Sequence, residues 1–180
     1  MARRNIAETT AKQIYSDHAG AQIPTPVEQI AKSLGIEVSF EPYEDPNVSG
    51  ALYRFGDGTA IIGVNSTQSV TRQRFTIAHE IGHYCLHEGR EVFVDHAVRL
   101  NMRDGRSSLA VDREEIQANA FAAELLMPSQ AVRAGFVRLM GRARASTVEQ
   151  VVERLADDFN VSPQAMEYRL QRLDLLAPPV

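Results

Sequence analysis

His79, Glu80 and His83 lie within RFTIAHEIGHYCLHEG, residues 74–89. On a helix, side chains four residues apart project from one face, about one turn along. Two imidazoles so placed can chelate one tetrahedral metal ion. Glu80 is rotated about 100° from His79. That position suits a general base for metal-bound water, whose pKa zinc brings near 7, rather than a further ligand. Phe75, Ala78, Gly82, Cys85 and Leu86 mark the same broad side of the helix. The pair therefore faces the protein, where buried imidazoles need partners. This argues against a chance occurrence of the pattern.

Two histidines do not close a site. His87 continues the series at four-residue spacing, but three ligands from one straight helix would be strained. The H-E-x-x-H-x-x-G-x-x-H spacing that bends a chain back is absent. His87 reads instead as a helix-end histidine near the last carbonyls. The third ligand is then expected to be a carboxylate from another element, leaving the fourth position open. The segment VDREEIQANAFAAELLMP offers two readings of Glu115. Asp112 and Glu115 could form a capping box, or Glu115 could be the ligand. On a helical wheel Glu115, Asn119, Ala122 and Leu126 fall within about 60°, with Ala118 beside them. Arg113, Gln117 and Glu124 share the opposite, solvated side. A carboxylate on an alanine-lined face needs a charge partner, which favours Glu115 as ligand. Asn119, one turn on, could orient a ligand histidine. Glu114 is the alternative carboxylate.

The elements that must position these groups follow from pattern. Residues 3–19 read as a helix with Ile6, Ala7, Ile14 and Tyr15 as its apolar stripe. IPTPVEQIAKSLG reads as a second helix with Val27, Ile30, Ala31 and Leu34 inward and Gly35 as its stop. IEVSF is a short strand, and GALYRFGDGTAIIGVN a hairpin about Gly56-Asp57-Gly58. The expected class is α+β: a small antiparallel sheet of about three strands packed with helices. A zincin-like helix over 70–87 ends at Gly89. A second long helix opens near Asp112 and runs to Met127, and helical pattern continues to about Leu176. The expected organisation is a core over 1–128 and a helical extension packed on it over 129–180.

With 180 residues, a net charge of −4 and one cysteine, the chain has the composition of a cytoplasmic globular protein. It holds no apolar run long enough to span a bilayer, and its start lacks the apolar stretch of a secretory signal. Cys85 reads as a small buried residue rather than a ligand. VEQVVERLADDFNVSPQAMEYRLQRLDLL resembles a helix-turn-helix with its turn at Asn160-Val161-Ser162. A DNA reader would present a basic second helix. Its outer face instead mixes Gln164, Glu167, Arg169, Arg172 and Asp174, and Glu149, Glu153, Asp157 and Asp158 precede it. Arg133, Arg138, Arg142 and Arg144 form a basic stretch upstream, equally explained as a solvated helix face. The tail reads as a packing or substrate-docking element, and direct nucleic-acid binding is not expected.

RFTIAHEIGHYCLH followed by EEIQANAFAAELLMP resembles the ImmA/IrrE family of zinc metallopeptidases. The likeness extends more weakly to IAKSLGIEV, the hairpin and the C-terminal helices. The resemblance implies a thermolysin-like arrangement in which His79, His83 and Glu115 bind Zn2+, Glu80 is catalytic, and Asn119 stands behind the ligands. It also implies limited proteolysis of a helix-turn-helix repressor encoded beside the enzyme, often on phages or mobile elements. Many relatives carry Glu before the Ala-Asn pair where this chain has Gln117, which favours Glu115, two residues earlier. Tyr53, Tyr84, His96, Arg99 and Arg103 are candidates to stabilise the oxyanion. Arg103-Asp104 sits where some relatives carry the same pair. The rival functions are a module that sequesters a repressor without cutting it, and a DNA-binding regulator.

Overall fold

A computed structural model of the chain describes residues 2–87, 92–96, 109–142 and 147–177. The expected terminator Gly89, the arginines Arg99, Arg103 and Arg144, and the side chains of His96 and Arg142 lie outside what it describes. The α+β class holds. Helices α1 (Ala2–His18) and α2 (Val27–Ser33) precede strands β1 (Ile36–Glu41), β2 (Val48–Arg54) and β3 (Ala60–Asn65). Helix α3 (Val70–Leu86), strand β4 (Val92–His96) and helix α4 (Leu109–Leu126) follow. Helices α5 (Ser129–Arg142), α6 (Val148–Phe159) and α7 (Pro163–Arg172) complete the order.

The sheet differs from the antiparallel one expected. Its order is β1-β3-β2-β4. The β2–β3 hairpin and the β2–β4 pair are antiparallel, but β1 runs parallel to β3 from Ile36 opposite Ala60 to Glu41 opposite Asn65. The chain leaves β1 through residues 42–47 and enters β2 on the far side of β3. The strand made last in the hairpin thus becomes β1's neighbour. Parallel pairing requires such a crossover, and local pattern does not record which edge a strand finds. Strand β3 is an inner strand, with Ala60, Ile62 and Val64, which share one face of the pleat, all buried.

Helix α3 lies on β2 and β3 and packs along α4. Ser69 caps its start by accepting from the Arg72 N–H at 3.3 Å, satisfying one orphan donor of the first turn. Its end is held from the sheet. Arg54 Nη2 on β2 donates to the carbonyls of His83 at 2.8 Å, Tyr84 at 3.3 Å and His87 at 2.8 Å. A cation there meets both the unsatisfied carbonyls and the negative end of the helix dipole. Gly82 allows close approach of α4: a Cβ built there would lie 3.1 Å from Phe121 Cδ1 and 3.2 Å from Ala118 Cα.

Helix α4 starts at Leu109, so Asp112 is inside the helix and no capping box forms with Glu115. In α1 the inward residues are Ala7 and Ala11, both buried, while Ile6 is exposed. Small residues let α1 lie close against α4. The C-terminal helices join the same apolar cluster through Val151, Leu155, Phe159, Met166 and Leu170. The turn between α6 and α7 is made at Asn160 in the left-handed region, φ 51°, and Ser162 caps α7.

Candidate metal centre

The two long helices bring His79, His83 and Glu115 together. The ring nitrogens His79 Nε2 and His83 Nε2 are 3.0 Å apart. Glu115 Oε2 is 3.3 Å from the first and Oε1 is 3.3 Å from the second. Ligand atoms about 2.0–2.1 Å from a tetrahedral ion stand about 3.3–3.4 Å from one another, so each of these spacings is close to that of two ligands on one ion, with Glu115 turning a different oxygen to each ring. The histidines are buried, and the Glu115 side chain is 37 % exposed, so the carboxylate side of the cluster meets solvent. Among the described residues, these three form the only group with metal-ligating geometry. Glu114, the alternative carboxylate, is not part of it.

The electrostatics fit a cation. His79 Nδ1 lies 3.2 Å from Asn119 Oδ1. Because an amide oxygen only accepts, Nδ1 carries the proton and His79 Nε2 presents its lone pair to the cluster. Burial is the largest influence on His83 and lowers its pKa, which favours the neutral ligand form. Burial pushes the Glu115 carboxyl upward, but while His79 and His83 hold protons toward it their hydrogen bonds and charge outweigh burial and hold Glu115 below the usual carboxylate range; a cation among the three would take over that role from the protons. Two imidazole lone pairs and an ionised carboxylate converging at such distances repel each other unless a positive charge sits among them.

Glu80 is fully buried on the same helix, beside the cluster but outside its ligand set. Cys85 is likewise not in the cluster, and burial pushes its thiol up to about 11. Of the proposed oxyanion donors, Tyr53 is exposed on β2 and Tyr84 stacks under the Arg54 guanidinium at 5.6 Å.

Two residues, His87 and Gln117, have a place here that the sequence did not suggest, and Tyr43 lies within the field of Glu80. Tyr43, in the loop after β1, has its hydroxyl over Gly63, where any side chain would collide with it. Burial, then the fields of Tyr53, Glu80 and Glu41, raise its pKa. His87 is 8 % exposed, and its ring lies between His83 Nδ1 at 3.1 Å and Gln117 Oε1 at 3.1 Å. The regular four-residue stripe of histidines was the available signal for His87. No local signal marks Tyr43 or Gln117.

Next to the centre, between the first turns of α3, the second half of α4 and the length of α7, runs a cleft of about 980 Å³. Phe75 and Asn119 line the end nearest His79, and Ala123, Ala165 and Tyr168 line the rest.

A helix-borne histidine pair joined by a carboxylate from a neighbouring helix is the donor arrangement of metal sites of the H-E-x-x-H type. The chain belongs to the Peptidase_M78 family, described as the IrrE N-terminal-like domain, whose model matches residues 31–171. It is 27 % identical over 110 residues to "Metallopeptidase ImmA" of Bacillus subtilis (strain 168), covering 61 % of this chain and 56 % of that protein. It is 29 % identical over 97 residues to "Uncharacterized immunity region protein 2" of Bacillus phage phi105, covering 54 % of this chain and 56 % of that protein. The chain thus spans about half the length of these curated relatives. Among the described residues no helix is long and apolar enough to cross a membrane.

Proposed function

We propose that the protein is a cytoplasmic zinc-dependent endopeptidase that performs limited proteolysis of a protein substrate, a helix-turn-helix repressor. The observation that carries this reading is the convergence of His79, His83 and Glu115, with the two ring nitrogens 3.0 Å apart and one Glu115 oxygen 3.3 Å from each. Two neutral imidazoles and one carboxylate, with an open position, are the donor set of catalytic zinc sites. When bound, zinc supplies Lewis acidity toward the scissile carbonyl and brings the pKa of a water near 7. The chain's own residues do the rest. Glu80 takes the proton of the attacking water and delivers it to the leaving amine. Asn119 holds the His79 ring in its ligating tautomer. Tyr43, whose pKa burial and then the fields of Tyr53, Glu80 and Glu41 raise, is a candidate donor to the developing oxyanion.

The cleft beside His79 supports a polypeptide as substrate, since it has room for several residues of a bound chain. Its wall on α7 supports a docking role for the C-terminal helices, with residues 1–128 as the catalytic core and 129–180 as the extension. A relative named for a phage immunity region supports a repressor as the target.

The test is to incubate the repressor encoded nearest the gene with wild type and with Glu80→Gln, and read intact mass. One new cut with wild type alone is expected. Cleavage by Glu80→Gln at the wild-type rate would remove Glu80 from the chemistry. A stable complex with no cut by either would replace proteolysis with sequestration.

A further inference from the structure

We infer that His87 and Gln117 form a hydrogen-bonded relay that sets the tautomer of His83 and so determines how tightly this centre holds its metal. The inference rests on the zinc reading above and adds a positioning unit to it. The two ligand histidines are supported by matching arms, each ending on a side-chain amide oxygen of α4. His79 Nδ1 reaches Asn119 Oδ1 directly at 3.2 Å. His83 Nδ1 reaches Gln117 Oε1 through the His87 ring, by two contacts of 3.1 Å.

Proton bookkeeping gives the relay a direction. A contact between two imidazole nitrogens holds one hydrogen. If Gln117 presents its oxygen, His87 Nε2–H donates to it and His87 Nδ1 is left as an acceptor. His83 Nδ1–H then donates to His87, and His83 Nε2 keeps its lone pair, 3.3 Å from Glu115 Oε1. If the Gln117 amide turned its NH2 group to His87, every hydrogen would shift along. His83 Nε2 would then carry a proton and could not bind a metal. Only the first direction makes a ligand, and an amide admits both.

The His87 ring is held for this task by its backbone. Residue 87 leaves the helix with φ −127° and ψ 116°. Its N–H donates to the His83 carbonyl at 3.1 Å, and its own carbonyl accepts from Arg54 at 2.8 Å. The turn out of α3 is thus pinned from β2, and it swings the ring under His83 instead of a further turn along the axis. Metal-ligating histidines whose distal nitrogen is so supported typically lose about 10–100-fold in affinity when the support is removed.

The test is a chelator-competition titration of zinc against wild type, His87→Phe, Gln117→Leu and Gln117→Glu. The His83 tautomer is read in the same metal-free proteins by long-range proton–nitrogen correlation at about pH 8, where imidazole is neutral. His87→Phe and Gln117→Leu should weaken zinc binding about 10–100-fold and lower the share of His83 in the Nδ1–H tautomer relative to wild type. Gln117→Glu, which can only accept, should bind zinc at least as tightly as wild type. A purely structural role would weaken all three variants together and leave the tautomer unchanged, and that result overturns the relay. Zinc dissociation constants within twofold of wild type for both His87→Phe and Gln117→Leu would do so as well. Wild type that shows the Nδ1–H tautomer but binds no zinc would instead sink the zinc reading and, with it, the relay's role in metal binding.

Discussion

Glu124 and Arg169 form a buried ion pair that fastens the last helix to the helix carrying Glu115. Both are nearly excluded from solvent, at 2 % and 3 %. Glu124 Oε1 also accepts from the Ser129 N–H at 3.0 Å and its hydroxyl at 2.9 Å, which caps α5. Arg169 Nε donates to the Met127 carbonyl at 3.0 Å, beyond the end of α4. One carboxylate and one guanidinium thus satisfy the end of α4 and the start of α5 while holding α7 in place.

Removing one partner strands the other. Arg169→Met should destabilise the protein by about 3–5 kcal/mol, because a buried carboxylate loses its counter-charge. Adding Glu124→Gln should restore part of the loss, since the amide still accepts from Ser129. Urea unfolding monitored by circular dichroism measures both. Equal stability of Arg169→Met and wild type would contradict the buried pair.

Gly82→Ala tests the spacing of the two helices that carry the candidate ligands. Its methyl would press on Phe121 and Ala118 at 3.1–3.2 Å, so α4 must shift by a few tenths of an ångström. Overpacking of this kind typically costs about 1–3 kcal/mol. Because Glu115 rides on α4, zinc affinity should fall as well. A crystal structure with an unmoved α4, or unchanged affinity, would count against this coupling.

Tyr43→Phe separates chemistry from packing. The ring still covers Gly63, but the donor is gone. Loss of an oxyanion donor costs about 100–1,000-fold in kcat at the upper end; an effect of tenfold or more, with zinc affinity and KM little changed, is the expected result. An unaltered kcat would reduce Tyr43 to a packing residue.

Filling the cleft should impair protein cleavage without touching the metal. Ala165→Trp places a large ring against the opposite wall near Ala123. We expect kcat/KM on the protein substrate to drop at least about tenfold, roughly the loss of 1.4 kcal/mol of transition-state binding, while zinc titration stays at the wild-type value. Wild-type kinetics would place the substrate elsewhere.

Cys85 should be inert. With its pKa pushed up to about 11 by burial, the thiolate fraction near pH 8 is on the order of one in a thousand. Alkylation should run roughly two orders of magnitude slower than for an ordinary exposed thiol. Rapid labelling of the folded protein, read by intact mass, would show that the half-buried thiol ionises more readily than this.

The sequence by itself determined the parts of the centre that depend on helical period. Residues 79 and 83 must share a face, and so must 115 and 119, wherever those helices lie, because 3.6 residues per turn sets both relations. Alanines around Glu115 marked the side on which another helix could come close. The same wheel put Gln117 and Glu124 in solvent, and the tail pattern put Arg169 on an outer face. The structure reverses these assignments. Burial of Glu124 and Arg169 depends on α7 crossing α4, a contact between residues 45 apart in the chain. Gln117 acquires its role because α3 ends at Leu86 and residue 87 turns aside, under the hold of Arg54 from β2. Strand β1 joined β3 in parallel for a similar reason: edge choice is made by the assembled sheet. Period is a property of neighbours in sequence, and these outcomes are properties of neighbours in space.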